Sequence, residues 1–178
     1  MLRFRALKSL SERKSMADVW EFAKDIEVSG KEYYEKLADE SAIEELSGVF
    51  TFLAGEEQRH YEIFDAMEKG LPAPELKHSG ALQNAKDAFN SLASSLQVSE
   101  VIEDSESAYQ KALGFEQKSI DLYQKALVDA KDDQQKAALE FIINQEKKHY
   151  RIVEAMMEFV RRPKEWLENA EWNHLDAY

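Results

Sequence analysis

Apolar and aromatic side chains recur every three to four residues from Met16 to about Asp39, through Val19, Trp20, Ala23, Ile26, Gly30, Tyr33, Tyr34 and Leu37. That period predicts a helix with one apolar face. Ile43, Leu46, Val49, Phe50, Leu53, Ile63, Phe64 and Met67 predict a second helix from about Ala42 to Lys69, stopped by the turn-forming "GLPAP". "ALQNAKDAFNSLAS" suits a short helix, after which Ser99 is placed to cap a long one running from Glu100 to about Ala130. The last long helix is expected from Asp132 to about Arg161, where Pro163 ends it. The pattern is all-α: two helical hairpins joined by a crossover of about thirty residues, a four-helix bundle.

Composition agrees with the periodicity. With 33% charged and 44% hydrophobic residues but only 6 Gly and 3 Pro, the chain suits long amphipathic helices better than a turn-rich β fold. Its 178 residues fit one main domain, assigned to residues 16–162. A net charge of -12 repels phosphate backbones and argues against nucleic acid. No apolar run is long enough for a membrane span, and the expected location is the cytoplasm. Residues 1–15 reverse the charge balance with Arg3, Arg5, Lys8, Arg13 and Lys14, and are expected to form a poorly ordered basic arm. Residues 163–178 carry Trp166, Trp172 and Tyr178, too many aromatics for a solvated tail, and are expected to pack on the bundle or on a partner. The chain has no cysteine, so any metal must be held by His and carboxylates.

A repeat supplies the chemistry. "GEEQRHYEIF" holds Glu57 and His60 three residues apart, and "QEKKHYRIV" holds Glu146 and His149 likewise, 89 residues later. The same offset of 89 matches Phe52 to Phe141, Ile63 to Ile152, Met67 to Met156, Glu27 to Glu116 and Tyr34 to Tyr123. Each half therefore reads Glu, then Glu-x-x-His beginning thirty positions later. Residues three apart on a helix share a face, so the carboxylate and imidazole can aim at one point while the hairpin brings in the lone Glu. A Glu from each of two helices and a Glu-x-x-His from each of the others is an established ligand arrangement for two bridged metals in ferritin-like bundles. Mixed oxygen and nitrogen donors suit Fe or Mn, with Zn or Co as further occupants. Tyr34 and Tyr123 lie two turns beyond the lone Glu residues, on the same face, and are expected to reach a ligand carboxylate. Tyr61 and Tyr150 point about 100° away from the adjacent His residues and are read as packing. His78 and His174 have no repeat partner and are not expected to ligate; Glu56 and Arg59 are read as solvated surface.

The segments "IEVSGKEYYEKLA", "EEQRHYEIF", "FEQKSIDLYQKAL" and "QEKKHYRIV" resemble the rubrerythrin branch of the ferritin-like superfamily over roughly residues 17 to 160. The resemblance implies a di-iron site with Glu27, Glu57, His60, Glu116, Glu146 and His149 as ligands, no catalytic residues beyond them, and chemistry in which reduced iron meets peroxide or O2. It implies a homodimer or larger homo-oligomer as well. Two features depart from the branch. A cysteine-free chain cannot contain the four-cysteine rubredoxin-like domain, so an external rubredoxin-like or flavoprotein electron donor is expected. Ser119 stands where typical members carry a further carboxylate, which weakens the peroxidase expectation more than the metal site. An iron-binding or storage protein with a ferroxidase-type site is the alternative, and a helical scaffold with a vestigial site is a third.

Overall fold

The computed structural model describes residues 16–72, 74, 76, 80–95 and 105–161. The basic arm, Ser99, His78, His174 and the aromatic tail lie outside them. Helix α1 spans Met16–Glu40 and α2 Glu44–Glu68; α3 spans Ala81–Ser95; α4 spans Ser105–Asp129 and α5 Asp133–Arg161. These are the helices that the apolar period predicts, with boundaries shifted by only a few residues where both ends are described.

Local chemistry explains where the helices stop. Gly70, at φ 64°, lets Leu71 N–H reach Ala66 O at 2.9 Å and Gly70 N–H reach Met67 O at 3.1 Å, which closes α2. The Asp132 carboxylate accepts from Gln134 N–H at 2.6 Å and Gln135 N–H at 3.3 Å and so caps the start of α5.

Packing is far denser within the hairpins α1–α2 and α4–α5 than between them, and α3 leans on α2 and α5. The apolar faces form two separate clusters. One gathers Leu37, Phe50, Leu53, Phe89 and Phe159, with α3 covering it. The other gathers Trp20, Phe64, Leu122, Leu139 and Ile142. Along every long helix these clusters occupy opposite ends, leaving a polar layer at mid-bundle. The Phe159 side chain is fully buried between α3 and the bundle. Phe159→Ala is therefore expected to cost about 3–5 kcal/mol in denaturant unfolding, because the surrounding helices can only partly close the cavity.

Among the described residues no helix is long and apolar enough to cross a membrane. One expectation about the surface is corrected. Glu56 is not solvated: it is 4% exposed, and Arg59, half out in solvent, reaches it at 2.8 Å. Repeat-equivalent Gln145 is also buried, with Lys148 at 3.5 Å, so both halves sink a polar side chain beside the buried Glu of the Glu-x-x-His pair and cover it with a base one turn on. Such burial is tolerable because the group is hydrogen-bonded.

Candidate metal centre

The polar layer consists of the six residues that the repeat singles out. Glu27 comes from α1, Glu57 and His60 from α2, Glu116 from α4, and Glu146 and His149 from α5; none is more than 3% exposed. Their donor atoms fall into two groups, each with all atoms within 4.8 Å of one another: Glu27, Glu57, His60 and Glu146, then Glu57, Glu116, Glu146 and His149. Glu57 and Glu146 belong to both. A carboxylate has two oxygens, so one shared by two such groups is placed to bridge two cations.

The halves exchange partners across the bundle. His60 Nδ1 lies 2.7 Å from Glu146 Oε1 and 3.5 Å from Glu27 Oε2, while His149 Nδ1 lies 3.1 Å from Glu57 Oε1 and 3.9 Å from Glu116 Oε2. The rings stack with centroids 5.5 Å apart. The tyrosines also cross over: Tyr34 O–H donates to Glu116 and Tyr123 O–H to Glu27. Each therefore reaches the lone Glu of the opposite half. Two helical turns are about 10.5 Å of rise, too far for a tyrosine to reach its own Glu. Antiparallel packing of α1 against α4 brings the other one level with it.

His60 Nε2, His149 Nε2 and Glu116 Oε2 are buried without a hydrogen-bond partner, and His60 Nδ1, Glu27 Oε2 and Glu146 Oε1 meet one another as close charge contacts. Burying four carboxylates and two imidazoles together is costly unless something positive sits among them. Protons alone share the layer poorly. Burial, then the charges of Glu146 and Glu27, holds Glu57 well above the usual carboxylate range; burial, then Glu146, does the same to Glu116. Burial would raise Glu27 too, but hydrogen bonds with Glu57, His60 and Tyr123 outweigh it and leave Glu27 low. For His60 burial opposes the charge, yet Glu146 and Glu27 win and push it up to about 10. His149 is driven well down by burial and by the neighbouring His60 charge. The oxygen-rich donors, with one nitrogen per group, fit two divalent cations.

The sign of the resulting pH dependence follows. In metal-free protein, Glu57 and Glu116 keep protons that the unfolded chain sheds above about 4.5, and His60 keeps one that it sheds above about 6.5. All three contributions lower stability as pH rises, the His60 part being lost through about 10. His149 acts oppositely, costing stability as pH falls below its ordinary 6.5. The melting temperature of metal-free protein is expected to fall between pH 7 and 10. Metal-loaded protein should not follow it, because binding needs the deprotonated ligands.

A bundle of two antiparallel hairpins with four carboxylates and two imidazoles buried at its centre defines a ferritin-like di-metal carboxylate protein. A model of the rubrerythrin family matches residues 18–157, and the chain belongs to that family. Searches of curated proteins and of solved structures return no match.

Beside the centre, at the α1–α4 seam, lies a cavity of about 10 Å³ that includes Gly30 and Ser119 in its lining. These two occupy equivalent positions in the repeat, three residues beyond Glu27 and Glu116. The small side chains leave the opening; the spacing of Gly30 alone marks only a helix face, so sequence reasoning passed it over as core.

Proposed function

We propose that the protein is a di-iron oxidoreductase that reduces peroxide or O2, with Glu27 and His60 on one metal, Glu116 and His149 on the other, and Glu57 and Glu146 bridging. The convergence of the duplicated donor set on two groups that share Glu57 and Glu146 carries this reading. Two bound ferrous ions would supply the two electrons that, with two protons, convert hydrogen peroxide to two waters. The chain's own residues hold the site for that task. Tyr34 and Tyr123 fix the orientation of the two unshared carboxylates, and the apolar clusters at either end keep bulk water away. With no cysteine-ligated iron of its own, the chain draws electrons from an external rubredoxin-like or flavoprotein donor. Residues 16–162 form the di-metal unit, in the cytoplasm and as a homo-oligomer.

Anaerobic loading with Fe(II) followed by a peroxide pulse tests the reading. Oxidation of about two ferrous ions per chain, faster than for free Fe(II), is expected; iron that binds without faster oxidation would overturn the enzyme. The absence of cysteine also favours a second reading, an iron-handling protein that oxidises Fe(II) once and passes it on, since that role needs no returning electrons. A hollow assembly retaining far more iron than two ions per chain would identify it.

A further inference from the structure

We propose that two chains of packed aromatic rings, Tyr123 to Phe64 to Trp20 and Tyr34 to Phe50 to Tyr109, carry single electrons between the two donor groups and opposite ends of the bundle, so that a centre holding one Fe(II) can still complete the reduction of peroxide. The inference rests on the metal-centre reading above. Each chain starts at an unshared carboxylate: Tyr123 O–H donates to Glu27 and Tyr34 O–H to Glu116. Tyr123 meets Phe64 with ring centroids 4.9 Å apart, and Phe64 meets Trp20 at 5.8 Å. In the other chain Tyr34 meets Phe50 at 6.1 Å, and Phe50 meets Tyr109 at 5.5 Å. All of these rings are buried, none more than 5% exposed. Trp20 and Tyr109 sit about one turn into α1 and α4, in the separate apolar clusters that occupy the two ends of the bundle.

Duplication alone does not account for the chains. Trp20 and Tyr109 are equivalent in the 89-residue offset, as are Tyr34 and Tyr123, so both halves keep an oxidisable ring at the inner and at the outer position. The bridging rings are not inherited this way: the α5 counterparts of Phe50 and Phe64 are Leu139 and Val153. Both bridges come from α2, one toward each end, and keep the ring contact unbroken in each chain. Hydrogen peroxide takes two electrons and two protons to become two waters. Where Fe(II) accounts for only one electron, Tyr34 or Tyr123 supplies the second together with its phenol proton, and solvent supplies the other proton. An electron from Tyr109 or Trp20 then refills the inner ring; the proton lost at the outer ring balances the one regained at the inner phenol. A soluble thiol returns an electron and a proton to the outer ring, and two such thiols leave as a disulfide. The transfer between rings is reversible, so reduction at the outer end draws it outward.

Laser photoionisation of the indole in metal-free protein tests the ring contacts. Trp166→Phe/Trp172→Phe leaves Trp20 as the single tryptophan. By transient absorption its radical should decay as a tyrosyl radical grows, because Tyr123 refills the indole with an electron while its phenol proton leaves along the hydrogen bond to Glu27. Tyr123→Phe is expected to lose that handover and Phe64→Leu to slow it, with melting temperatures showing that the variants remain folded. A handover that persists in folded Tyr123→Phe would overturn the proposal. In the same background, loaded with one Fe(II) per chain and mixed with peroxide, freeze-quench electron paramagnetic resonance should show an organic radical whose tryptophanyl component is lost in Trp20→Phe. Ferrous iron oxidised at that loading with no organic radical would equally overturn it. The laser measurement contains no iron, so it still reads the chain if the protein binds iron but fails to oxidise it.

Discussion

Excess Fe(II) or Mn(II) added anaerobically is expected to raise the melting temperature of metal-free protein by on the order of 20 °C. At free metal about a thousandfold above the dissociation constant, each site adds about 4.1 kcal/mol to the folded state, so two add about 8. For a chain of this size each kcal/mol moves the midpoint by roughly 2–4 °C. The effect is large because the same layer is a liability without metal: four carboxylates and two imidazoles are buried together, with His60 Nε2, His149 Nε2 and Glu116 Oε2 unpartnered. Differential scanning calorimetry with and without metal, and again after chelation, provides the check. Melting that ignores the metal would leave only a helical scaffold with a vestigial site.

The two carboxylates shared by both donor groups should separate sharply from the others. Glu57→Ala or Glu146→Ala removes a donor from both groups, whereas Glu27→Ala or Glu116→Ala removes one from a single group. Elemental analysis is expected to fall from two metals per chain toward none in the first pair and to about one in the second. The metal-free proteins should respond the other way. Burial, then Glu146 and Glu27, holds the Glu57 carboxyl well above the usual carboxylate range and so disfavours its charge, and metal-free Glu57→Gln, which carries no charge there, is expected to melt no lower than the parent. A Glu57→Ala protein that still holds two metals would sink the bridging assignment.

Much of this architecture was legible in the chain. The helices follow from an uninterrupted three-to-four period, and the six converging residues follow from the 89-residue offset, because a duplicated Glu-x-x-His is hard to reach by chance. What stayed hidden depends on the pairing of helices that are distant in sequence. Helical spacing puts Tyr34 on the face of Glu27, yet only the antiparallel α1–α4 seam shows that it serves Glu116. Glu56 reads as surface in a charged helix and is buried because α2 is enclosed on more than the side that carries Glu57 and His60. Gly30 fits its face as any small residue would, and its role in an opening appears only when Ser119 is placed opposite.

The uneven packing has a consequence for assembly. Each hairpin is internally dense, the contacts between hairpins are sparse, and both donor groups draw on both hairpins. The molecule is thus arranged as a tethered dimer of half-sites. The segment between α2 and α4 acts as the linker that keeps the halves at high effective concentration. A chain cut within that linker would turn an intramolecular docking step into a bimolecular one. Reassembly should then depend on protein concentration, and added metal should serve as the clasp between halves.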